Sequence, residues 1–139
     1  MPIKSENRSR YPANWKEIRE QILKRAGNRC EQCRVPNHSW IQRGFYHDKG
    51  TYQLEDGSVY DEDNGGLLCL RRATEYSGYL VKIVLTVAHL DHVPEHVDFS
   101  NLKALCQLHH LRYDAEHHRV NAFKTRHARK ATSDLFGDL

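Results

Sequence analysis

The stretch Cys30-Glu-Gln-Cys33 is matched about 70 residues later by Cys106-Gln-Leu-His109, and the two pairs together point to one site in the fold. Three cysteines and one histidine at such spacings are common donors for tetrahedral zinc, so we predict a structural zinc site. Four cysteines would also suffice for two disulfides, which is the alternative to metal binding. A thioredoxin-like role for Cys30 and Cys33 is weaker, because no βαβ pattern surrounds them. Cys69 lies in an apolar run and is predicted to be a buried thiol outside the metal site.

Length and composition limit the class of protein. With 139 residues, 39% of them hydrophobic, the chain is most simply one domain over residues 1–139 that a metal ion would help to stabilise. Its longest apolar stretch, residues 79–88, is far short of the ~20 residues that span a bilayer. The first residues lack the apolar core of a signal peptide. We therefore expect a cytoplasmic protein with no membrane partner.

The net charge of +3 hides a strong asymmetry along the chain. Residues 1–29 carry eight Lys or Arg against three Glu, and residues 117–131 carry five Lys or Arg and no acid. Residues 48–63, in contrast, hold six acids and a single Lys. Two basic ends are typical of a protein that binds a polyanion, and we predict DNA contacts from Arg126, Arg129 and Lys130. Charge alone is equally consistent with solvated helix faces.

Apolar spacing and turn residues predict the elements. A helix is expected over residues 14–26, with Asn14 as N-cap and Gly27 as its end, after an arm over residues 1–11. Residues 37–80 are predicted to be a β-rich insertion of one or two hairpins with an acidic loop. A strand is expected over residues 79–93 and a helix over 107–116, followed by a basic helix or tail over 119–139. The fold class is α+β.

The order of these motifs resembles the HNH endonuclease family, whose ββα-metal site carries an Asp-His pair at a strand end. The resemblance covers residues 15–36 and 80–118. It rests on Cys30, Cys33, Asp91, His92, Asn101, Cys106, His109 and His110. His109 stands where family members with an all-cysteine zinc site have Cys, and it keeps a good zinc ligand. The resemblance implies a small zinc-stabilised ββα-metal fold.

The resemblance also implies the roles of the catalytic residues. Imidazole titrates near neutral pH, so His92 is expected to be the general base that accepts a proton from the attacking water. Asp91 and His110 are expected to hold a catalytic divalent ion, Mg²⁺, Mn²⁺ or another. Asp114 follows on the same helix face, either as a further ligand, directly or through water, or as an ordinary exposed acid. Asn101 is expected to hold the loop and orient the base. For His89, contact with phosphate and a structural role remain alternatives.

The resulting hypothesis is a metal-dependent endonuclease that nicks or cuts double-stranded DNA, leaving, by the resemblance, a 5′-phosphate. The main alternative is a non-catalytic, zinc-stabilised DNA-binding or adaptor module with the same fold. A third hypothesis is a structural zinc protein that binds protein partners through the acidic insertion.

Overall fold

The computed structural model describes residues 5–136, and within them the side chains of residues 8–120 and 122–128. The fold is mixed α+β, as predicted. Its helices are α1 (Trp15–Arg25) and α2 (Gln107–Phe136). Its strands are β1 (Trp40–Gly44), β2 (Thr51–Gln53), β3 (Ser58–Asp61), β4 (Leu67–Leu70), β5 (Gly78–Lys82), β6 (Thr86–His89) and β7 (Leu102–Leu105). Short 3-10 helices cover Ser5–Arg10, Tyr46–Asp48, Ala73–Glu75 and Phe99–Asn101.

The chain divides into two compact units, one up to Gln107 and one from Leu108 onward. All seven strands and α1 belong to the first unit, and the second consists of α2. The single domain over residues 1–139 stays a prediction. Within residues 5–136, no helix has both the length and the apolar character needed to cross a membrane.

Helix α1 forms where the apolar spacing predicts it. Asn14 occupies the N-cap, although its side chain makes no capping hydrogen bond, and Gly27 follows the helix end with φ +66°. The buried face presents Ile18, Ile22 and Ala26 to Val87, Leu102 and Ala104 of the β6–β7 hairpin. Burial of such side chains stabilises a fold by roughly 1.5–3 kcal/mol each, so this contact anchors the helix on the hairpin. The last turn of α1 then leads into Cys30.

The two strands β6 and β7 pair antiparallel, with Thr86 opposite Leu105 and His89 opposite Leu102. In sequence this hairpin is followed directly by α2, so the order of elements is ββα. The hairpin places the end of β6 beside the start of β7. Motifs separated by ten residues of sequence, at positions 91 and 101, are thereby brought to one end of the hairpin.

The prediction of one strand over residues 79–93 is wrong. The structure has two strands, β5 and β6, in different sheets, separated by residues 83–85. In this gap the Ile83 N–H donates to the Ser39 carbonyl at 2.8 Å, and the Leu85 N–H donates to Asn37 Oδ1 at 3.0 Å. Bonds to the 37–39 segment replace the strand ladder, and the chain changes sheets there without glycine or proline.

The predicted insertion forms an antiparallel sheet of five strands in the order β4-β3-β2-β1-β5. One face of it carries buried side chains of Ile41, Arg43 and Tyr52. The edge strand β4 is exposed along its whole length, so Cys69 is exposed rather than buried as predicted. An edge strand lacks a neighbour on one side, and hydropathy alone did not reveal that Leu67–Leu70 would occupy it.

Residues 5–10 are more regular than the sequence predicts, and of the two alternatives for the basic segment, helix or tail, the structure has the helix. Residues 1–4 of the predicted arm and 137–139 of the predicted segment lie outside the described residues. Residues 5–10 of the predicted arm form a 3-10 helix, and Arg10 makes an ion pair with Glu95 at 2.6 Å. The predicted helix over 107–116 continues through the basic segment as one helix to Phe136. No glycine or proline lies between residues 107 and 136, so nothing in the sequence ends the helix.

We predict that Gly65→Ala destabilises the insertion more than a matched change elsewhere. Gly65 has φ +74°, and an added Cβ would lie 2.5 Å from the Cys33 carbonyl oxygen. Gly27 has φ +66° with nothing within 4 Å of an added Cβ, so Gly27→Ala is the control. The control should cost about 1 kcal/mol for the left-handed backbone, and Gly65→Ala about 1–3 kcal/mol more for the clash.

The measurement is the free energy of unfolding in urea for both variants and the wild type. If both variants lost the same free energy of unfolding, the backbone around Gly65 would be able to move away from the added Cβ at no cost, and the prediction would be wrong.

Candidate metal centre and the loop between strands six and seven

Four predicted ligands come together in the structure. The ligand atoms of Cys30, Cys33, Cys106 and His109 all lie within 4.8 Å of one another, and all four residues are buried. These residues, called the metal centre below, are therefore close enough to hold a metal ion, as predicted. No disulfide joins them: Cys33 Sγ lies 3.8 Å from Cys106 Sγ. His109 is the second residue of the second unit.

The Cys30–Cys33 turn is shaped by its backbone hydrogen bonds. The Cys30 N–H donates to the Val35 carbonyl at 3.0 Å, and the Arg34 N–H donates back to the Cys30 carbonyl at 2.8 Å. The Glu31 N–H donates to the Ala104 carbonyl on β7 at 2.9 Å, two residues before Cys106. These bonds fix the distance between the turn and the strand that carries the third cysteine.

The electrostatics of the centre favour a cation. The hydrogen bonds of Cys33 with Cys106 and with Cys30, in that order of importance, raise the pKa of the Cys33 thiol far above its usual range, and burial raises it further. Buried thiolates this close repel each other, and neither is stabilised by water. A divalent ion supplies the missing positive charge, and three sulfurs with one imidazole form a donor set that zinc binds well. These four residues therefore suit a tetrahedrally coordinated metal ion such as zinc.

The insertion packs directly against the cysteine turn. Tyr52 Oη donates to the Cys33 carbonyl at 2.7 Å, and burial raises the pKa of this phenol. Gln32 Nε2 donates to the Asp63 carbonyl at 2.8 Å, and Gly65 lies against the Cys33 carbonyl. Sequence analysis missed Tyr52 because its contact depends on the register of a distant sheet. The acidic loop around Asp63 is part of the surroundings of the metal centre.

Asn101 and Asp91 meet in the loop that joins β6 to β7. Asn101 Nδ2 donates to Asp91 Oδ1 at 2.9 Å and to the His96 carbonyl at 2.8 Å. In return, Asn101 Oδ1 accepts from the Asp91 N–H at 3.2 Å, and the Asn101 carbonyl accepts from the Leu90 N–H at 2.8 Å. Asn101, at one end of the loop, therefore bonds to Leu90 and Asp91 at the other end and to His96 within it.

His96 is a neighbour of Asp91 that sequence analysis missed. Its Nδ1 contacts Asp91 Oδ2, and this interaction is the largest cause that lowers the pKa of Asp91 and raises the pKa of His96. The Asn101 hydrogen bond lowers the pKa of Asp91 further. Asp91 is therefore anionic at neutral pH, as a carboxylate ligand for a hard divalent ion must be. The only sequence signal for His96 is its position just beyond Pro94.

His92 adopts a backbone conformation that the sequence did not predict. The extended segment expected at Asp91 and His92 is a turn, because His92 has φ +60° and its N–H donates to the His89 carbonyl at 3.0 Å. A left-handed conformation is uncommon for residues other than glycine, although histidine adopts it more readily than most. Such strain is often found at functional sites, where the surrounding structure maintains it.

His89 lies inside the fold, at the end of β6. Its ring stacks on Trp15 with centroids 4.9 Å apart and meets the Tyr11 ring edge-on at 5.6 Å. It is 9% exposed, and burial lowers the pKa of its imidazole. Of the two alternatives for His89, these contacts favour the structural role, in which it joins α1 to the hairpin.

The remaining predicted site residues lie on α2. His110 Nε2 is 3.4 Å from Asp114 Oδ2, one helical turn away, and both side chains are mostly buried. Arg126 is exposed. The side chains of Arg129 and Lys130 lie outside the described residues. A catalytic divalent ion held by Asp91, His110 and Asp114 stays a prediction.

We predict that Asn101→Ala loosens the loop between β6 and β7. It removes the side-chain hydrogen bonds to the Asp91 amide, the Asp91 carboxylate and the His96 carbonyl, at a cost of about 1 kcal/mol. Hydrogen exchange of the Asp91 amide should become faster. Asn14→Ala is the control that should leave it unchanged, because Asn14 is exposed and its side chain caps no helix amide. Unchanged exchange in Asn101→Ala would mean that the hairpin backbone alone holds the loop.

Comparisons with protein-family models, with curated proteins and with solved structures give no match to this chain.

Proposed function

We propose that this protein is a metal-dependent endonuclease of the HNH type that hydrolyses phosphodiester bonds in DNA. The observation that carries the proposal is the hydrogen bonding of Asn101 with Asp91. Two separate sequence motifs meet in the loop of the β6–β7 hairpin, and the hairpin precedes a helix whose first turn contains His109 and His110. This contact agrees with the loop-holding role that the family resemblance implies for Asn101 and so supports the proposal.

The proposed chemistry assigns one task to each residue. His92 acts as general base and accepts the proton of the attacking water, while Asn101 holds the loop that carries it. Asp91 and His110 hold a divalent ion, Mg²⁺ or Mn²⁺, which would supply positive charge at the phosphate and at the leaving oxygen. Asp114 contacts His110 and orients its ring, as carboxylates commonly do for histidine ligands.

The metal centre has a different role in this proposal. With four protein ligands it has no open position for substrate, so the zinc it binds is structural. It stabilises the turn between α1 and the insertion, together with the chain between β7 and α2. Its binding free energy then contributes to the stability of the fold that supports the loop.

The proposed DNA contacts come from the basic segments. Lys16 and Lys24 are exposed on α1, and Lys124 and Arg126 are exposed on α2. Arg25 is excluded from this set, because its guanidinium pairs with Glu31 at 2.7 Å and donates to the Leu102 carbonyl. Exposed cations on helices suit phosphate contacts, which give affinity without sequence preference.

A second candidate is a zinc-stabilised DNA-binding or adaptor module without catalysis. The observation in its favour is that the Asp91 carboxylate already accepts hydrogen bonds from Asn101 and from the Val93 N–H at 2.9 Å, and contacts His96. A carboxylate used in this way serves the loop whether or not a divalent ion binds. Catalysis by the purified protein separates the two candidates.

We expect one tightly bound zinc per chain in the purified protein. Cys106→Ser removes a ligand, so this variant should lose zinc to a chelator and lose several kcal/mol of the ~10–16 kcal/mol that structural zinc provides. Cys69→Ser is the matched control, because Cys69 is exposed on β4 and outside the metal centre. Elemental analysis and thermal unfolding before and after chelation give the result. A loss of zinc in Cys69→Ser would contradict the assignment.

We expect supercoiled plasmid to be relaxed by the wild type and not by His92→Ala. Loss of a general base typically slows a reaction ~10²–10⁴-fold, while the zinc content and fold should be unchanged. His47→Ala, an exposed histidine in the insertion, is the control that should cut like the wild type. The measurement is relaxation across a titration of Mg²⁺ and of Mn²⁺.

Two outcomes would contradict the proposal. Equal cutting by the wild type and His92→Ala would place the activity at another site or in a contaminant. If no divalent ion supports cutting of DNA by the zinc-loaded wild type, the non-catalytic module replaces the nuclease.

A further inference from the structure

A buried arginine lies against the metal centre. Arg43 extends from β1 and is 5% exposed, and its Nη2 lies 3.5 Å from Cys106 Sγ. Arginine is rarely buried unless its charge is paired, because removing a guanidinium from water is costly. The acceptor that Arg43 reaches is a sulfur atom of the metal centre. Nothing in the sequence around Arg43 links it to the cysteines.

The second partner of Arg43 is Glu62, which follows β3. Its Oε2 lies 3.8 Å from Arg43 Nη1, and its side chain is 13% exposed. This distance is too long for a hydrogen bond, and Arg43 Nη1 makes none among the described residues. Glu62 therefore attracts the guanidinium without competing for the hydrogen bond to sulfur. The Glu62 N–H donates to the Gly50 carbonyl at 3.0 Å, which fixes the backbone that carries this carboxylate.

Charge counting gives the arginine a role. Three thiolates, a neutral imidazole and a divalent ion together carry one negative charge. That charge would be buried, because Cys30, Cys33 and Cys106 are all 0% exposed. Burying an unpaired charge is strongly unfavourable, whereas a hydrogen bond from a charged donor to a thiolate both pairs it and orients it. The guanidinium of Arg43 is a cation within hydrogen-bond range of one of these sulfurs.

We propose that Arg43 is a positioning residue of the metal centre: it donates a charge-assisted hydrogen bond to the Cys106 thiolate and places its positive charge against that sulfur, with Glu62 holding its guanidinium. This inference rests on the structural zinc in the proposed function and is independent of catalysis. It makes the five-stranded sheet an outer layer of the metal centre. Outer-layer partners of metal ligands typically change metal affinity by ~10–100-fold when removed.

The test compares Arg43→Met with Arg71→Met by chelator competition. Methionine preserves much of the length and apolar bulk of arginine and removes its charge. Arg71 is the matched control: it is a guanidinium next to β4 of the same sheet, and it binds Asp48 and the Glu75 carbonyl. We expect Arg43→Met to bind zinc ~10–100-fold more weakly than the wild type, with faster release. Arg71→Met should lose thermal stability and keep the wild-type zinc affinity.

A measurement on the wild type covers the case in which Arg43→Met does not fold. Protein loaded with ¹¹³Cd in place of zinc should show a scalar coupling between the ion and the Arg43 Nη protons, transmitted through the N–H···S hydrogen bond. A structural arginine that merely fills space would not produce this coupling. Its absence in folded, cadmium-loaded protein would overturn the inference.

The outcomes separate this inference from the proposed function. If the wild type binds no zinc or cadmium, the metal centre fails and the role of Arg43 falls with it. If the wild type binds zinc and folded Arg43→Met binds it equally well, the role of Arg43 is wrong and the metal centre stands. An equal loss of zinc affinity in Arg71→Met would also overturn it, because sheet stability would then explain both results.

Discussion

Three sulfur atoms without access to solvent impose the constraint on which the rest of the first unit depends. Cys30, Cys33 and Cys106 have no exposed surface, and two of their sulfurs are 3.8 Å apart. Such a group is stable either as crowded thiols or as thiolates around a cation. The elements that carry these residues are a turn after α1 and the end of β7. Any change in the charge of the sulfurs therefore acts on both elements at once.

The insertion that contains the five-stranded sheet packs against the Cys30–Cys33 turn. The Cys33 carbonyl accepts a hydrogen bond from Tyr52 and lies against Gly65, and Gln32 donates to the Asp63 carbonyl. Ligand binding stabilises whatever structure forms the binding site, so a metal ion held there would stabilise the sheet as well. One of the six acids in residues 48–63, Glu62, has a structural role inside the fold. Glu62 faces a buried arginine, and its charge is used inside the fold.

The sequence predicts the parts of this protein that depend on local spacing. Ile18 and Ile22 recur at the helical period, and the two Cys/His turns have spacings that only a few kinds of site use. The loop-holding role of Asn101 comes from the family resemblance, and strand β7, which brings it to Asp91, was not predicted. The division of residues 79–93 between two sheets could not be predicted, because it is decided by hydrogen bonds to the distant residues Asn37 and Ser39.

Contacts that depend on the register of a sheet could not be predicted from the sequence either. Arg43 and Tyr52 are opposite one another on β1 and β2, and both reach the cysteine residues from there. A shift of one residue in this pairing would turn both side chains to the other face of the sheet. Cys69 was predicted incorrectly for a related reason, because its apolar neighbours indicate a strand but not that the strand lies at an edge.

The continuity of α2 changes the energetics of its basic end. A helix of 30 residues is ~45 Å long, and residues 117–133 within it contain no acid. The Cα atoms of Arg119, Lys124 and Arg126 keep fixed intervals along such a helix, whereas residues of a coil sample many separations. A polyanion that meets the helix imposes little further ordering on its backbone, so less conformational entropy is lost on contact. The helix thus converts a basic tail into a preorganised electrostatic surface.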